Sequence, residues 1–439
     1  MDLPKYGAGI GLHRMEYLCA DLLNTEWWRA LDPVNIVGTN GKGSTTAMIA
    51  AILNCMDIPT GQYTSPHLFD FSERIQYQGR TIEKDDLVPL IRSCFFRQKN
   101  YLRQYPGDHF GAFETYTSIA LHYFFQKQTE ALVLEAGIGG RYDPTRICTG
   151  RLAGLTSLDL EHTQLLGSTL EQIAMDKIDI ARPGATVVLG EIDAEVHRKL
   201  KSYAKIKGVE LLSIREECRL GPVNFKGEKM VVDFHVQEVD FGRVSCNLLG
   251  YHQVNNMLLA VLLVKKWLER NRPGISKAQL VHAVQSALPS IQWKGRFEKI
   301  RQAPDVYIDV GHTPAALRHL ARTAEQSIKK PVLLVFGVSH DKDPQSLYNE
   351  LAGIASETIV TRAYHRGKKL SEVILSRTMQ KKEKDIIIDH IEPMEKAIDL
   401  AVKRAAEQNM TILIAGSLFL TIEAQAYLND MSPKSLRFF

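Results

Sequence analysis

The chain of 439 residues lacks most signatures of specialised classes. It has six cysteines, none in C-x-x-C spacing, which argues against a disulfide framework or a zinc site and for reduced, cytoplasmic thiols that are buried or inert. No run of arginine or lysine occurs, and 54 basic against 50 acidic residues leave a formal charge of only +4, so dedicated nucleic-acid binding is not expected. There is no uncharged apolar stretch long enough to span a bilayer and no apolar leader in the first eleven residues, so neither membrane insertion nor secretion is expected. Repeats and low-complexity tracts are absent. What remains is an ordinary globular composition, 45% hydrophobic and 24% charged, in a chain too long for a single core.

The pattern along the chain is that of two α/β domains. Apolar strand-like runs at 34–37, 131–135, 152–158 and 185–190 alternate with helix-like segments, the rhythm of a mostly parallel sheet wrapped by helices. Runs at 230–236 and 244–249 predict an appended antiparallel hairpin, followed by helices over 254–267 and from Ser276. Pro289 and Gly295 interrupt this rhythm, which puts a boundary between residues 1–291 and 292–439. A second series, with strands at 306–310, 332–337, 357–361, 385–388 and 411–415, predicts a Rossmann-like α/β domain.

The strongest local signal is the turn Gly38-Thr39-Asn40-Gly41-Lys42-Gly43-Ser44-Thr45, between the strand 34–37 and a helix-patterned stretch 47–53. Glycines let backbone N–H groups wrap phosphate oxygens, and the following helix directs its positive end at them. Lys42 adds a full charge and the Ser44 hydroxyl suits magnesium. A triphosphate cradle is therefore predicted, although the spacing departs from the commonest form.

Other candidates carry two readings each. Glu135 ends an apolar strand beside Gly137, Gly139 and Gly140, where a substrate could approach the backbone; it reads as a metal carboxylate or a structural acid. His162 follows the strand run 152–158 and is a ligand or a structural histidine. Lys177, flanked by Asp176 and Asp179, is by position alone a solvated lysine, and Ser65 precedes a proline and is biased toward extended backbone. Arg296 can reach across an interdomain cleft to phosphate. Asp309, at a strand tip before His312, can accept from ribose hydroxyls or cap the helix starting at Pro314.

Taken in order, the segments GTNGKGS (38–44), TSPHLFDFSER (64–74), Phe113-Glu114, LEAGIGGR (134–141), LEHT (160–163), GRFE (295–298), DVGHTP (309–314), HDKD (340–343) and Gly416-Ser417-Leu418 resemble the folylpolyglutamate synthase and dihydrofolate synthase group of the Mur ligase superfamily. The resemblance implies ATP-dependent amide ligation through an acyl phosphate, joining L-glutamate to a folate-type carboxylate. A relative acting on a different, non-folate carboxylate is the alternative. It implies phosphate binding by Lys42 and the cradle, a first magnesium on Ser44, Glu135 and Ser65, and a second on His162. Lys177 matches a lysine that the family carries as a carbamate, orienting that metal. Arg296 would meet the γ-phosphate, Asp309 the ribose and His312 the nucleotide side of the cleft. The partners implied are ATP, an amino acid and a carboxylate acceptor, with a monomeric cytoplasmic chain. The sequence departs from the family pattern at Pro144, Arg146, Glu161, Asp179 and Thr313; the acid at Asp179 is expected to alter the charge beside Lys177.

Overall fold

The computed structural model describes residues 11–369 and 387–436. In the first α/β unit the strands are β1 (Val34–Val37), β2 (Thr60–Tyr63), β3 (Ile75–Tyr77), β4 (Arg80–Thr81), β5 (Ala131–Glu135), β6 (Leu152–Leu155), β7 (Thr186–Leu189) and β8 (Glu210–Ser213). They form one sheet in the order β4-β3-β2-β5-β1-β6-β7-β8. Every pairing is parallel except those of β3 with β2 and with β4. The central strands are buried along their whole length, as a sheet covered on both faces requires.

The appended sheet corrects the expected hairpin. It has three antiparallel strands, β9 (Cys218–Lys226), β10 (Lys229–Val236) and β11 (Val239–Cys246), in the order β11-β10-β9. The turn joining β10 to β11 lies at Gln237 and Glu238, so residues 240–242, expected to lie between the strands, are within β11. In β10 and β11 the burial alternates along the strand, with one face packed inward.

The second unit contains β12 (Glu298–Arg301), β13 (Val306–Ile308), β14 (Val332–Phe336), β15 (Ala355–Val360), β16 (Ile387–His390) and β17 (Thr411–Ala415), in the order β12-β13-β17-β14-β15-β16. Only β12 runs antiparallel to its neighbour. The strand expected at 385–388 begins at Ile387; Asp385 and Ile386 lie outside the described residues.

The two units share apolar packing. One buried cluster runs from β1 and the helix Lys42–Asn54 through the helix Tyr251–Asn271 to Leu317, Leu320 and Phe336 of the second unit. Conversely, Leu68 of the first unit is buried in the cluster beneath the second sheet. The C-terminal ends of β1, β5 and β6 and the start of the second unit thus border a common cleft. All six cysteines are unpaired; four are buried, Cys218 is half-buried and Cys55 is exposed. Among the described residues no helix is long and apolar enough to cross a membrane.

Candidate active site

The turn after β1 has a shape that only glycine permits at two positions. Gly38 has φ of 143° and its Cβ would lie 2.0 Å from Thr156 Oγ1; Gly41 has φ of 88° and its Cβ would lie 2.4 Å from Asn256 Oδ1. The segment following β6 braces the turn. Thr39 N donates to Ser157 O (2.9 Å) and Asn40 N to Ser157 Oγ (3.0 Å), while the Thr156 hydroxyl donates to Asn40 O (2.6 Å). The strand expected over 152–158 ends at Leu155, and Thr156 and Ser157 beyond it serve as this brace. The helix starts at Lys42, and no side chain caps it, which leaves its first N–H groups for an incoming anion. The Thr45 hydroxyl is buried with no hydrogen-bond partner.

Two lysines converge on one carbonyl. Lys42 Nζ donates to Gly38 O (3.0 Å) and Thr39 O (3.2 Å), and the buried Lys177 Nζ donates to the same Gly38 O (2.9 Å). Burial, and then the charge of Lys42, bring the Lys177 pKa down to about 7, against partial opposition from Glu161, Asp176 and Asp143. The solvated lysine suggested by position alone is thus a buried amine. Asp179 acts on Asp176, whose pKa burial first and then the Asp179 charge raise, while its own carboxylate is taken by Arg141 Nε (2.8 Å), Tyr203 OH (3.0 Å) and Lys207 Nζ (3.3 Å).

Glu135 is 3% exposed and its Oε2 accepts from the backbone N of Ser65 at 2.9 Å. Burial raises its pKa, against the pull of Lys42, the Ser65 amide, Arg296 and Arg74. A buried carboxylate so sparsely compensated is chemically suited to a hard cation. Ser44 is also buried, its Oγ accepting from Gln253 Nε2 at 3.4 Å. Ser65 meets the carboxylate through its amide rather than its hydroxyl. The glycines after Glu135 do not open the backbone to a substrate as expected. A Cβ at Gly137 would meet the Phe113 ring at 2.9 Å, and one at Gly140 the Lys177 carbonyl at 2.2 Å. The loop beyond is folded on Asp143, whose Oδ2 accepts from Gly137 N (2.8 Å) and Ile138 N (3.0 Å). Pro144 opens the short turn that Asp143 caps, and the Arg146 Nε is buried without a hydrogen-bond partner.

His162, at φ of 51°, precedes the short helix Thr163–Leu166, with Nε2 3.7 Å from Glu161 Oε1. Among the described residues no three His, Cys, Asp or Glu side chains gather as a cation-binding group, so His162 and Glu135 stand as separate donors.

The opposite wall belongs to the second unit. Arg296 NH1 donates to Gly295 O (3.2 Å). Asp309 accepts on both oxygens, from Phe297 N (2.9 Å) and Gly311 N (2.7 Å), and burial raises its pKa despite Arg296. It does not cap the helix at Pro314; Thr313 does, its hydroxyl accepting from Ala316 N (3.2 Å). His312 Nδ1 is 3.1 Å from Val310 O, and burial lowers its pKa. Between the two walls Asn40 Nδ2 donates to Thr313 Oγ1 (3.3 Å).

Three residues escaped the sequence reading of site roles. Gln253 and Asn256, joined at 2.9 Å, brace Ser44 and Gly41 from the helix Tyr251–Asn271. Their signal was a polar i, i+3 pair just ahead of the apolar run 257–264 on the same helix. Glu161 was noted only as a departure. Burial would raise its pKa, but Lys42, His162, His312 and Lys342 together hold it below the usual carboxylate range, so it is shared by both walls.

Comparison with known proteins follows the same division. The Mur ligase middle domain matches residues 100–264, and the Mur ligase glutamate ligase domain matches residues 295–418. The chain is 30% identical over 417 residues to a probable bifunctional folylpolyglutamate synthase/dihydropteroate synthase of Haloferax volcanii, covering 92% of this chain and 47% of that protein, about half its length. It is 29% identical to the dihydrofolate synthase/folylpolyglutamate synthase of Bacillus subtilis, covering 80% of each. Among solved structures, it resembles Mycobacterium tuberculosis folylpolyglutamate synthase complexed with ADP and AMPPCP (TM-score 0.82, 25% identity, 95% of each chain). It also resembles the folylpolyglutamate synthase of Thermotoga maritima (TM-score 0.80, 26% identity, 96% of this chain and 94% of that one).

Proposed function

Because this chain belongs to the Mur ligase superfamily, as a homologue of the folylpolyglutamate and dihydrofolate synthases, we propose that it is an ATP-dependent ligase joining L-glutamate to a folate-type carboxylate. The observation that carries this reading is the facing of two walls: a phosphate-type turn with Lys42 and Lys177 on one, Arg296 and His312 on the other, bridged by Asn40 and Thr313. We divide the chain at 291/292, so that neither part holds both walls, and assign the work to a cytoplasmic monomer acting on small molecules.

A carboxylate is a poor electrophile until one of its oxygens becomes a leaving group. In the first step the acceptor carboxylate oxygen bonds to the γ-phosphorus of ATP as the bond to the β-phosphate oxygen breaks, releasing ADP. In the second, the glutamate amine bonds to the acyl carbon, the bond to the phosphate oxygen breaks, phosphate leaves and the amine loses a proton. The turn Gly38–Thr45 cradles the phosphates: the N–H groups at the helix start, Lys42 to Ser44, and the Lys42 ammonium hold them, Lys42 exchanging its backbone carbonyl partners for phosphate oxygens, while Thr39 N, Asn40 N and Thr45 N stay bonded within the fold and fix the shape of the turn. Arg296 stabilises the charge developing on the transferring group, and Asp309 and His312 line the nucleoside side.

Ser44, Glu135 and Ser65 are donors suited to one magnesium and His162 to a second. Magnesium, when bound, supplies positive charge to the phosphate oxygens. Lys177 near pKa 7 is substantially unprotonated at neutral pH, the form in which an amine adds to carbon dioxide to give a carbamate and a proton; that modification would turn a buried cation into an anion facing the second metal.

The test is ADP release from the full chain with ATP, magnesium and L-glutamate, offering dihydropteroate or a reduced folate as acceptor. Release dependent on acceptor, with hydroxylamine trapping a hydroxamate, is expected. No release with either acceptor overturns the folate assignment and leaves ligation of another carboxylate to be sought in an acceptor panel.

A further inference from the structure

The segment that joins the two units passes beside the phosphate turn, and Trp293 is the residue that meets it. A Cβ at Gly43, in the first turn of the helix Lys42–Asn54, would lie 2.9 Å from Trp293 Cζ2 and 3.2 Å from its Nε1, with Glu135 Oε2 at 3.3 Å. The indole thus rests on bare glycine backbone with its N–H edge foremost, beside the carboxylate suited to magnesium. Any side chain at position 43 would take the place of the ring.

This placement is held from both units. A Cβ at Gly295 would lie 2.8 Å from Val310 Cγ1 of the second unit and 3.3 Å from Leu68 Cδ1 of the first. Gly295 N donates to Glu298 Oε2 (2.6 Å), and Lys294 Nζ lies 5.8 Å from the centroid of the Phe69 ring. Trp293 itself is half-buried, packed against the apolar cluster that runs beneath the turn.

An indole N–H can only donate, and a tryptophan drawn into a fold usually finds it an acceptor. Trp27 donates to Thr129 O (2.9 Å) and Trp267 to Asp32 O (2.8 Å). Trp28 and Trp293 donate to no described residue. The ring of Trp28 lies against that of Trp27, with centroids 6.2 Å apart, whereas the N–H edge of Trp293 faces the turn.

We propose that Trp293 is a nucleotide contact. With ATP bound as in the ligase reading, on which this inference rests, its indole N–H donates to a phosphate oxygen on the Glu135 side of the turn. Arg296, three residues further on, brings charge to the same group. One joining segment then supplies two donors, and the neutral one adds direction without the desolvation cost of a second cation.

Proton–nitrogen correlation spectra of the full chain contain four indole N–H signals, and that of Trp293 is the one absent from Trp293→Phe. Magnesium and β,γ-methylene ATP are titrated in, with binding followed independently by calorimetry. The Trp293 signal should move downfield on saturation, as a new hydrogen bond requires, and further than the other three. Replacing Trp293 by benzothienylalanine keeps the shape of the ring system and removes the N–H. That protein should bind the analogue about 10-fold more weakly at an unchanged melting temperature, and so should Trp293→Phe. A Trp293 signal that stays in place while calorimetry shows the analogue bound, or native affinity in the benzothienylalanine protein, overturns the contact and leaves the ligase reading standing. No binding of the analogue to the native chain overturns the ligase reading, and this inference with it.

Discussion

The carboxylates at the ends of β5 and β13 occupy similar places in their sheets and are treated in opposite ways. Glu135 receives one backbone N–H on one oxygen; Asp309 receives two, one on each. Burial raises the pKa of both. The difference lies in the compensation: Asp309 closes the turn that carries Arg296, whereas the Glu135 charge is offset by the single Ser65 amide and the neighbouring cations Lys42, Arg296 and Arg74. One acid is spent on shape, and the other is kept for chemistry. The ribose contact inferred for Asp309 must therefore be shared with a clamp that the fold already uses.

Glu135→Gln tests this most severely. Turnover, measured as acceptor-dependent ADP release, should fall by ~10³-fold or more, because an amide replaces the anion proposed to face magnesium. Thermal stability should nevertheless hold or rise, since removing a buried, poorly compensated charge relieves a desolvation cost. Lys177→Ala and Arg296→Ala should each lower turnover on the order of 100-fold, the latter with little change in nucleotide affinity. An intact rate in either variant removes that residue from the mechanism.

Asp309→Asn should show the reverse balance. Only one of its two N–H partners keeps an acceptor, now a neutral amide oxygen, while the other faces an NH2 group, so a stability loss of about 1–3 kcal/mol is expected in denaturant unfolding, with turnover down roughly 10-fold as Arg296 loses its fixed position. If Glu135→Gln destabilised as much as Asp309→Asn, the distinction between the two acids would collapse. A smaller effect is expected at Thr313, where Ala removes the helix cap and the acceptor of the Asn40 bond: about 1 kcal/mol of stability, read from the same unfolding curves.

What could be read in the sequence follows the range of the interactions. The turn at Gly38–Ser44 was legible because strand, glycines, lysine and helix are consecutive, and the parallel sheets were legible because their strands are continuous apolar runs. Residues defined by distant partners were not. Gln253 braces a hydroxyl 209 positions earlier, and Glu161 is balanced by cations from both units. The strand β9 was missed because Gly221 and Pro222 interrupt it and most of its side chains are exposed, an edge strand with little apolar pattern. The partners of Asp179, namely Arg141, Tyr203 and Lys207, were likewise hidden, because they come from distant segments and from the next helix.

The joint between the two walls offers the gentlest perturbation. His252, at the start of the helix Tyr251–Asn271, has its ring 5.1 Å from that of His319 on the helix Pro314–Ser327, and its Nδ1 is buried without a partner. Burial first, then the charges of His319 and Arg296, bring its pKa down to about 3 from the ordinary 6.5. Between those values the separated or unfolded chain binds a proton that the packed joint refuses, so this contribution to stability is complete above about pH 6.5 and declines as the pH falls toward 3. Replacing His252 by Asn removes the titrating ring from the joint. The loss of melting temperature on going from about pH 7 to about pH 5 should then be smaller by a few degrees than in the native chain. His319, whose pKa burial also lowers, keeps part of the acid response in the variant. An unchanged pH response would mean that the joint relaxes around the charged ring, leaving the Asn40–Thr313 bond, the Lys299–Glu228 pair and the shared apolar cluster to hold the units together.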